Sequence, residues 1–375
     1  MMAKKKLVFG MVGAGMMGRV HSMALANINK FFPEINYTPV LKTVCQRSNL
    51  DAFVEQFGWQ KQTHDWHEVV NDPEIDVVIN CVPGTLHAAV CIEAAKTGKH
   101  VFCEKPLARN YAECMEMVNA VKDNKVASMV NFNYRRVPAV QLAKRMIEEG
   151  RLGQIVSYKG FYQNDWGLWG MPMGWKYSAA LDGEGPQQNG IHILDLGMML
   201  MGDIKKVVSQ CNIVIPERPN KDGVMEKVTN DDETMWLAKF ENGVQGMFES
   251  TRVHAGHRNQ NWFEVNGTKG SIKFELERLN ELQVFMQEDG DLAGWKTVLV
   301  TEKTHPYIKY WWPAGHLLGW EHTCEHTWFE FLKGLQEGYQ PEPGFETGAK
   351  ATRVLEAIVK SCKEERWVSV DEING

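Results

Sequence analysis

The hydrophobic and polar positions of this chain fall into two textures. Up to about residue 132, short apolar runs alternate with helical patterns. Residues 7–12 form a buried-strand run, followed at once by Gly13-Ala14-Gly15-Met16-Met17-Gly18 and a helical pattern through Val20, Met23, Ala24 and Ala26. Residues 38–45 predict a second strand. Short helices over 50–57 and 66–70 stop at Gly58 and at the Asp72-Pro73 turn. Residues 75–81 predict a strand ending in Val82-Pro83-Gly84-Thr85, and a helix over 87–97 stops at Gly98. The run His100-Val101-Phe102-Cys103 is a further buried strand that halts on Glu104-Lys105-Pro106. A helix over 110–124, with Asn110 as its N-cap, and a strand over 126–132 complete the series. Strands alternating with helices at this spacing predict a doubly wound parallel sheet.

After Asn133-Tyr134-Arg135-Arg136 the texture changes. An amphipathic helix over 138–149 places Val140, Ala143, Met146 and Ile147 on one face. Strand-like segments then follow at 154–161, 206–215, 234–239, 243–249, 261–265, 271–274 and 281–286, mostly without helices between them. Such a series predicts a large, open-faced, mostly antiparallel sheet. Residues 166–190 lack periodicity and run into a helical pattern from Ile191 to Met201; helices over 322–335 and 348–363 close the chain. The fold class is therefore α/β: an N-terminal doubly wound parallel sheet over 1–132 and a C-terminal α+β domain over 133–375. The last helix, 348–363, is a candidate to pack back on the first domain. No internal repeat or low-complexity linker is visible.

Length and composition agree with this division. The 375 residues suit two domains, with 44% hydrophobic and 23% charged residues. A formal net charge of −6 gives no reason to expect nucleic acid or a membrane as partner. The stretch from Lys4 to Met17 has a basic start and an apolar run, but glycines, Arg19 and His21 interrupt it, so it is not read as a signal peptide. No apolar run approaches the ~20 residues of a membrane span. The eight cysteines show no C-x-x-C and no Cys/His ligand spacing, which predicts a reduced, cytoplasmic protein without a metal.

The candidate chemistry lies at strand ends. G-x-G-x-x-G between a strand and a helix is the context in which that motif binds a dinucleotide. The first glycine makes the turn, the second admits the pyrophosphate, and the third packs helix on strand. Gly13, Gly15, Met16, Met17 and Gly18 are thus candidate cofactor-binding residues. Where an acid would bond an adenosine ribose, this chain has Cys45-Gln46-Arg47-Ser48-Asn49. Arg47 and Ser48 suit a 2′-phosphate and favour NADP over NAD. Arg47 as a solvated loop residue, with Asp51 nearby, keeps NAD open. Pro83, His87, Glu104 and Lys105 follow the ends of later strands, where parallel sheets bind ligands; His87 could equally be bonded to backbone at its helix start. Six of the 13 tryptophans (166, 169, 175, 311, 312 and 320) lie in two aperiodic stretches. Aromatic faces stack on the C–H faces of sugar rings, and core or subunit-interface packing is their other common use.

Gly13-x-Gly15-x-x-Gly18, Glu104-Lys105-Pro106 and Gly190-Ile191-His192-x-x-Asp195-Leu196, in this order, resemble the Gfo/Idh/MocA oxidoreductases. That family includes inositol dehydrogenases, glucose–fructose oxidoreductase and other NAD(P)-dependent sugar dehydrogenases. The resemblance implies a Rossmann domain followed by an open-faced sheet that often mediates homodimers or homotetramers. It implies that Lys105 lies beside the nicotinamide and the reacting hydroxyl, and that His192 accepts the proton. Asp195 is expected to support its helix. The family commonly places an Asp four residues before the histidine; here that position is Gln188, an amide that cannot take a proton. Tyr134, Arg135, Trp175, Lys176, Gln188 and Asn189, with His192, are candidates for binding a sugar or polyol. An imidazole with an ordinary pKa of about 6.5 suits a base near neutrality, and Lys105 would stabilise the developing alkoxide. The expected function is hydride transfer between a secondary alcohol of a sugar, glycoside or inositol and NAD or NADP. A glycosidase using bound NAD transiently, a sugar–sugar oxidoreductase retaining its cofactor, and a non-catalytic NAD(P) sensor are the alternatives.

Overall fold

A computed structural model describes residues 4–374. Two compact units emerge. One contains the chain up to Asn133 together with Trp320–Lys350; the other contains Tyr134–Gly319 and the residues from Ala351.

The first unit is built on a six-stranded sheet. Its strands are β1 (Lys5–Val12), β2 (Tyr37–Cys45), β3 (Lys61–Thr63), β4 (Val77–Asn80), β5 (His100–Cys103) and β6 (Ser128–Val130). They run in the order β3-β2-β1-β4-β5-β6, every pair parallel, as the alternating pattern predicts. The helices between them are α1 (Met16–Phe31), α2 (Asp51–Phe57), α3 (His67–Val70), α4 (His87–Lys96) and α5 (Tyr111–Asp123). Central strands are buried on both faces, which is why they read as continuous apolar runs: Phe9, Met11 and all of Val77–Ile79 are fully enclosed. β3 carries no such signal, because an edge strand of Lys-Gln-Thr buries only its threonine. Asn110 caps α5 as expected, its side chain accepting from the Glu113 amide at 2.8 Å.

In the second unit, α6 (Pro138–Glu148) leads into β7 (Ile155–Gln163), and α7 (Ala179–Asp182) and α8 (Gly190–Met201) precede β8 (Ile204–Asn212). A small hairpin of β9 (Glu217–Pro219) and β10 (Met225–Lys227) stands apart. The remaining strands are β11 (Glu233–Phe240), β12 (Gln245–Thr251), β13 (Gln260–Gly267), β14 (Gly270–Glu275), β15 (Glu281–Met286), β16 (Lys296–Leu299) and β17 (Val368–Ser369). Together they form a nine-stranded sheet in the order β16-β15-β14-β13-β7-β12-β11-β8-β17, antiparallel except for β7 and β12. α8 covers one face closely. A Cβ on Gly160 would lie 2.7 Å from Ile193, and one on Gly197 would lie 3.0 Å from Phe248. The other face leaves Met235, Leu237 and Met247 exposed and stacks Phe161 on Trp262 at 4.6 Å. This is the open face expected from the strict alternation of β11. α9 (His322–Glu337) belongs to the first unit, and α10 (Phe345–Glu364) begins there and ends in the second.

The aperiodic stretch 166–190 is ordered by buried charge. Asp232 receives the Arg252 Nε at 2.8 Å and lies 3.7 Å from Arg218. The two guanidiniums lie over the Tyr177 ring, 4.4 and 4.0 Å from its centre, and donate to the carbonyls of Lys176 and Gly167. Loop backbone is thus tied to two arginines that are themselves buried. Its neighbour Asp231 has no such cation in contact. Burial pushes its carboxyl up to about 6, and one oxygen has no hydrogen-bond partner.

That raised carboxyl has a sign. Unfolded, the acid titrates near about 3.9; the native state therefore holds the extra proton between about pH 4 and 6. The penalty for ionising it is absent below that window and fully present above it. Asp231→Asn is expected to stabilise the protein by at most about 3 kcal/mol at pH 8 and by visibly less at pH 5. Equal gains in thermal melts at the two pH values would contradict this.

Candidate active site

The parallel register sets the first half of the site. Cys45, Val12, Asn80, Cys103 and Val130 line up across the carboxyl edge of the sheet. The row one residue further on is Gln46, Gly13, Cys81, Glu104 and Asn131. Backbone bonds extend the ladder into this row: Gly13 donates to Cys45, Cys81 to Val12, Glu104 to Asn80 and Asn131 to Cys103, at 2.7–2.9 Å. The glycine turn and the Glu-Lys-Pro segment are therefore brought to one edge by strand pairing alone. A hollow of about 1070 Å³ also lies in this unit, lined by Tyr37, Asp76, His100 and Ser128, at the amino ends of the strands. It is at the wrong end of a parallel sheet for the chemistry, which gathers at the carboxyl ends.

The glycine turn fits a dinucleotide. Gly13 has φ +98°, and a Cβ there would meet the Cys81 carbonyl oxygen at 2.5 Å. At Gly18 a Cβ would lie 2.7 Å from the Gly13 carbonyl, so α1 can approach β1 only with glycine. Above Gly15 there is nothing within 4 Å. α1 starts at Met16 without a side-chain cap, leaving its first N–H groups for an anion such as a pyrophosphate. Met16 is exposed and Met17 half-buried beside this opening. Gln46, which the motif reading passes over, fastens the turn: Ala14 N–H donates to its Oε1 at 3.0 Å, and its Nε2 donates to the Ser48 hydroxyl at 2.6 Å. Arg47 and Ser48 are exposed at the end of β2, and Pro83 is exposed at the end of β4.

Glu104 is buried. Its Oε1 accepts from His21 Nε2 at 2.8 Å and from Asn131 Nδ2 at 2.7 Å, and its Oε2 accepts from the Lys105 amide at 3.3 Å. Burial pushes the carboxyl up; the His21 hydrogen bond, the His21 ring when it is charged, the Asn131 bond and the nearby Lys105 charge together bring it below its usual range. Lys105 itself is half-buried. His87 needs a correction. It was a candidate to line the cofactor, yet its ring is buried and spent on backbone: Nδ1 faces the Pro106 carbonyl at 2.8 Å and Nε2 the Val82 carbonyl at 2.8 Å. Burial moves it down despite those acceptors. It shapes the two strand-end turns rather than presenting a ring nitrogen.

In the second unit His192 sits in the first turn of α8, 7% exposed. The Tyr134 ring lies 4.5 Å from it, and the Tyr162 ring 5.9 Å. The two phenols are 3.1 Å apart, and the Tyr162 hydroxyl donates to Asn259 at 2.6 Å. Tyr134 and His192 are thus brought together, as is a second tyrosine that sequence reading did not single out. Arg135 is a second correction. Its guanidinium donates through Nε and Nη2 to both oxygens of Asp195, at 2.8 and 2.6 Å, so it braces α8 rather than reading a substrate. Asp195 is thus paired within the protein. The Asn189 amide donates to the Thr251 carbonyl at 3.2 Å and is likewise committed to backbone.

Gln188 has a partner that explains its presence. Its Nε2 donates at 2.6 Å to Asp182, a fully buried carboxylate six residues earlier. At this position the chain thus holds an amide whose nitrogen is bonded to a buried acid of the loop. Lys176 and Trp175 stand in the same loop, the Lys176 ammonium 4.9 Å from the Trp166 ring and 5.7 Å from the Trp175 ring. Burial lowers the Lys176 pKa, with Asp182 opposing. The residues missed from sequence were His21, Gln46, Asn131, Asp182, Tyr162 and Trp328. A usable signal existed for His21, which follows Gly18 by three residues and so shares its buried helix face.

Comparisons with known proteins identify the family and the fold. The family model described as an oxidoreductase family with an NAD-binding Rossmann fold matches residues 7–132, and its C-terminal alpha/beta domain matches residues 144–370. Levoglucosan dehydrogenase from Pseudarthrobacter phenanthrenivorans is 38% identical, covering 99% of this chain and 100% of that protein. The scyllo-inositol 2-dehydrogenase (NAD(+)) of Bacillus subtilis is 31% identical over 70% of this chain and 71% of its own length. A solved structure of levoglucosan dehydrogenase in complex with NADH and levoglucosan superposes with a TM-score of 0.95 at 38% identity, covering 98% of this chain and all of that one. Among the described residues no helix is long and apolar enough to cross a membrane. By its two matched domains and its near full-length relative, this chain belongs to the Gfo/Idh/MocA oxidoreductase family.

Proposed function

We propose that the protein oxidises a secondary hydroxyl of a sugar, levoglucosan being the first candidate, with NAD⁺ as acceptor. The observation that carries this is the end-to-end match to a levoglucosan dehydrogenase whose structure holds NADH and levoglucosan. NAD⁺ bound over Gly15 would accept the hydride from the carbinol carbon. The remaining work falls to this chain. His192 takes the hydroxyl proton as the C–H bond breaks, leaving a ketone. Lys105 provides a cation for the negative charge that develops on that oxygen. Gln188, its nitrogen end directed at Asp182, and the Trp175–Lys176 turn bind neighbouring sugar hydroxyls and C–H faces.

NAD is the preferred cofactor in this reading. Support comes from the NADH held by the similar structures and from Ser48, whose hydroxyl is already the acceptor of the Gln46 amide. The exposed Arg47 then serves as a solvated residue at the end of β2, and the expectation of NADP from this pair is set aside.

Incubation with levoglucosan and NAD⁺ should form NADH, with kcat/KM at least about tenfold higher than with NADP⁺. Sugar turnover without net NADH would contradict the reading, as would a preference for NADP⁺. Lys105→Ala and His192→Ala should each lower kcat by roughly 10²–10⁴-fold with an unchanged circular dichroism spectrum. Turnover within a few-fold of normal in either variant would remove that residue from its assigned role.

A further inference from the structure

A chain of three buried side chains stands behind Lys105. The Trp328 indole N–H, which can only donate, points at His21 Nδ1 at 3.0 Å. That nitrogen must therefore present its lone pair, so the ring proton sits on Nε2 and is donated to Glu104 at 2.8 Å. Protonating His21 would set N–H against N–H at Trp328. The tautomer is thus imposed from α9, on the far side of α1 in sequence. Trp328 is itself fixed, stacked on Phe102 at 4.0 Å and edge-on to Phe9 and Phe331. All these residues lie within the first unit.

Glu104 is the end of this chain and the neighbour of Lys105. The groups around its carboxyl are His21 from α1, Cys81 after β4, His87 from α4, Cys103 on β5, Cys324 from α9, and Lys105. The three thiols are pushed up by burial and carry no charge, and burial lowers His87. An anionic Glu104 therefore meets one cation in this set, the Lys105 ammonium.

We propose that Trp328 and His21 are positioning residues for the Lys105 step: they lock a neutral, donating imidazole onto Glu104, which keeps that carboxylate an anion and Lys105 a cation. The inference rests on the dehydrogenase reading for its kinetic consequence, but the hydrogen-bonded chain has a readout of its own. Removing the anion disfavours the ammonium, so the alkaline limb of kcat/KM moves to lower pH. Neutralising Glu104 by Glu104→Gln keeps the shape of the side chain. His21→Leu removes the donor, and His21→Gln restores an amide N–H that can reach the carboxylate.

Two measurements on the full-length protein test this. In ¹H–¹⁵N spectra of histidine-labelled protein, with the His21 signal identified by its loss in His21→Gln, the ring should carry its proton on Nε2 alone at the pH of turnover. A ring that carries a proton on Nδ1, alone or together with Nε2, overturns the proposal whether or not any sugar is oxidised. In pH–rate profiles, Glu104→Gln and His21→Leu should bring the alkaline limb down by at least one pH unit, and His21→Gln should recover at least half of that shift. An alkaline limb unmoved in Glu104→Gln overturns it even if His21→Leu fails to fold. If the wild type oxidises no sugar, the spectra still decide the inference while the dehydrogenase reading alone falls.

Discussion

A carboxylate without access to water must find its compensation inside the protein, and Glu104 is such a carboxylate. Desolvation of a charge costs several kcal/mol unless hydrogen bonds and opposite charge offset it. The compensation comes from three places in the first unit. β6 runs beside β5 in a register that delivers Asn131, α1 delivers His21, and α9 delivers the indole that sets the imidazole tautomer. Residues some 300 positions apart are therefore tied to one side chain. The same indole bond ties Trp320–Lys350 into the first unit, although this segment follows all but one strand of the large sheet. Breaking any one of the bonds to Glu104 leaves a buried charge under-compensated, which is a larger loss than the bond itself.

The second unit solves a comparable problem with different residues. A long loop rich in Gly, Trp and Met has little periodic structure to hold it. Arg252 and Arg218, sharing Asp232 and both stacked on Tyr177, supply donors to its carbonyls. α8 is braced through Arg135 and Asp195 and packs on the sheet through Gly160 and Gly197. His192 in its first turn is thus carried by a helix with little room to shift, beside two tyrosines. Both units place their polar chemistry on secondary structure and buried ion pairs, which suits a reaction that depends on fixed geometry.

Much of this was legible in the order of residues. Five of the six parallel strands and the glycine turn announce themselves because a strand buried on both faces must be apolar throughout, and because only glycine tolerates the contacts at Gly13 and Gly18. Glu104, Lys105 and His192 stand out through motif and resemblance. The short strands at 61–63, 217–219, 225–227, 296–299 and 368–369 did not, since edge pieces bury too few side chains to leave a pattern. Partnerships across long sequence separations were equally hidden. Nothing in the chain's local texture pairs Arg135 with Asp195, Gln188 with Asp182, or Trp328 with His21; each depends on packing that brings distant elements together. For that reason Arg135, Asn189 and His87 looked available for ligands, although Arg135 bonds Asp195, the Asn189 amide nitrogen bonds Thr251, and both His87 nitrogens face backbone carbonyls.

Hydride transfer from sugar to NAD⁺ is the claim on which the functional account stands, and isotope transfer reads it directly. Levoglucosan deuterated at its ring carbons would be incubated with NAD⁺ and the protein, and the reduced cofactor analysed by mass spectrometry. The expected product is NADH carrying one deuterium, formed more slowly than NADH from the unlabelled sugar. Sugar consumed while the reduced cofactor contains only protium, or no reduced cofactor at all, would contradict that claim.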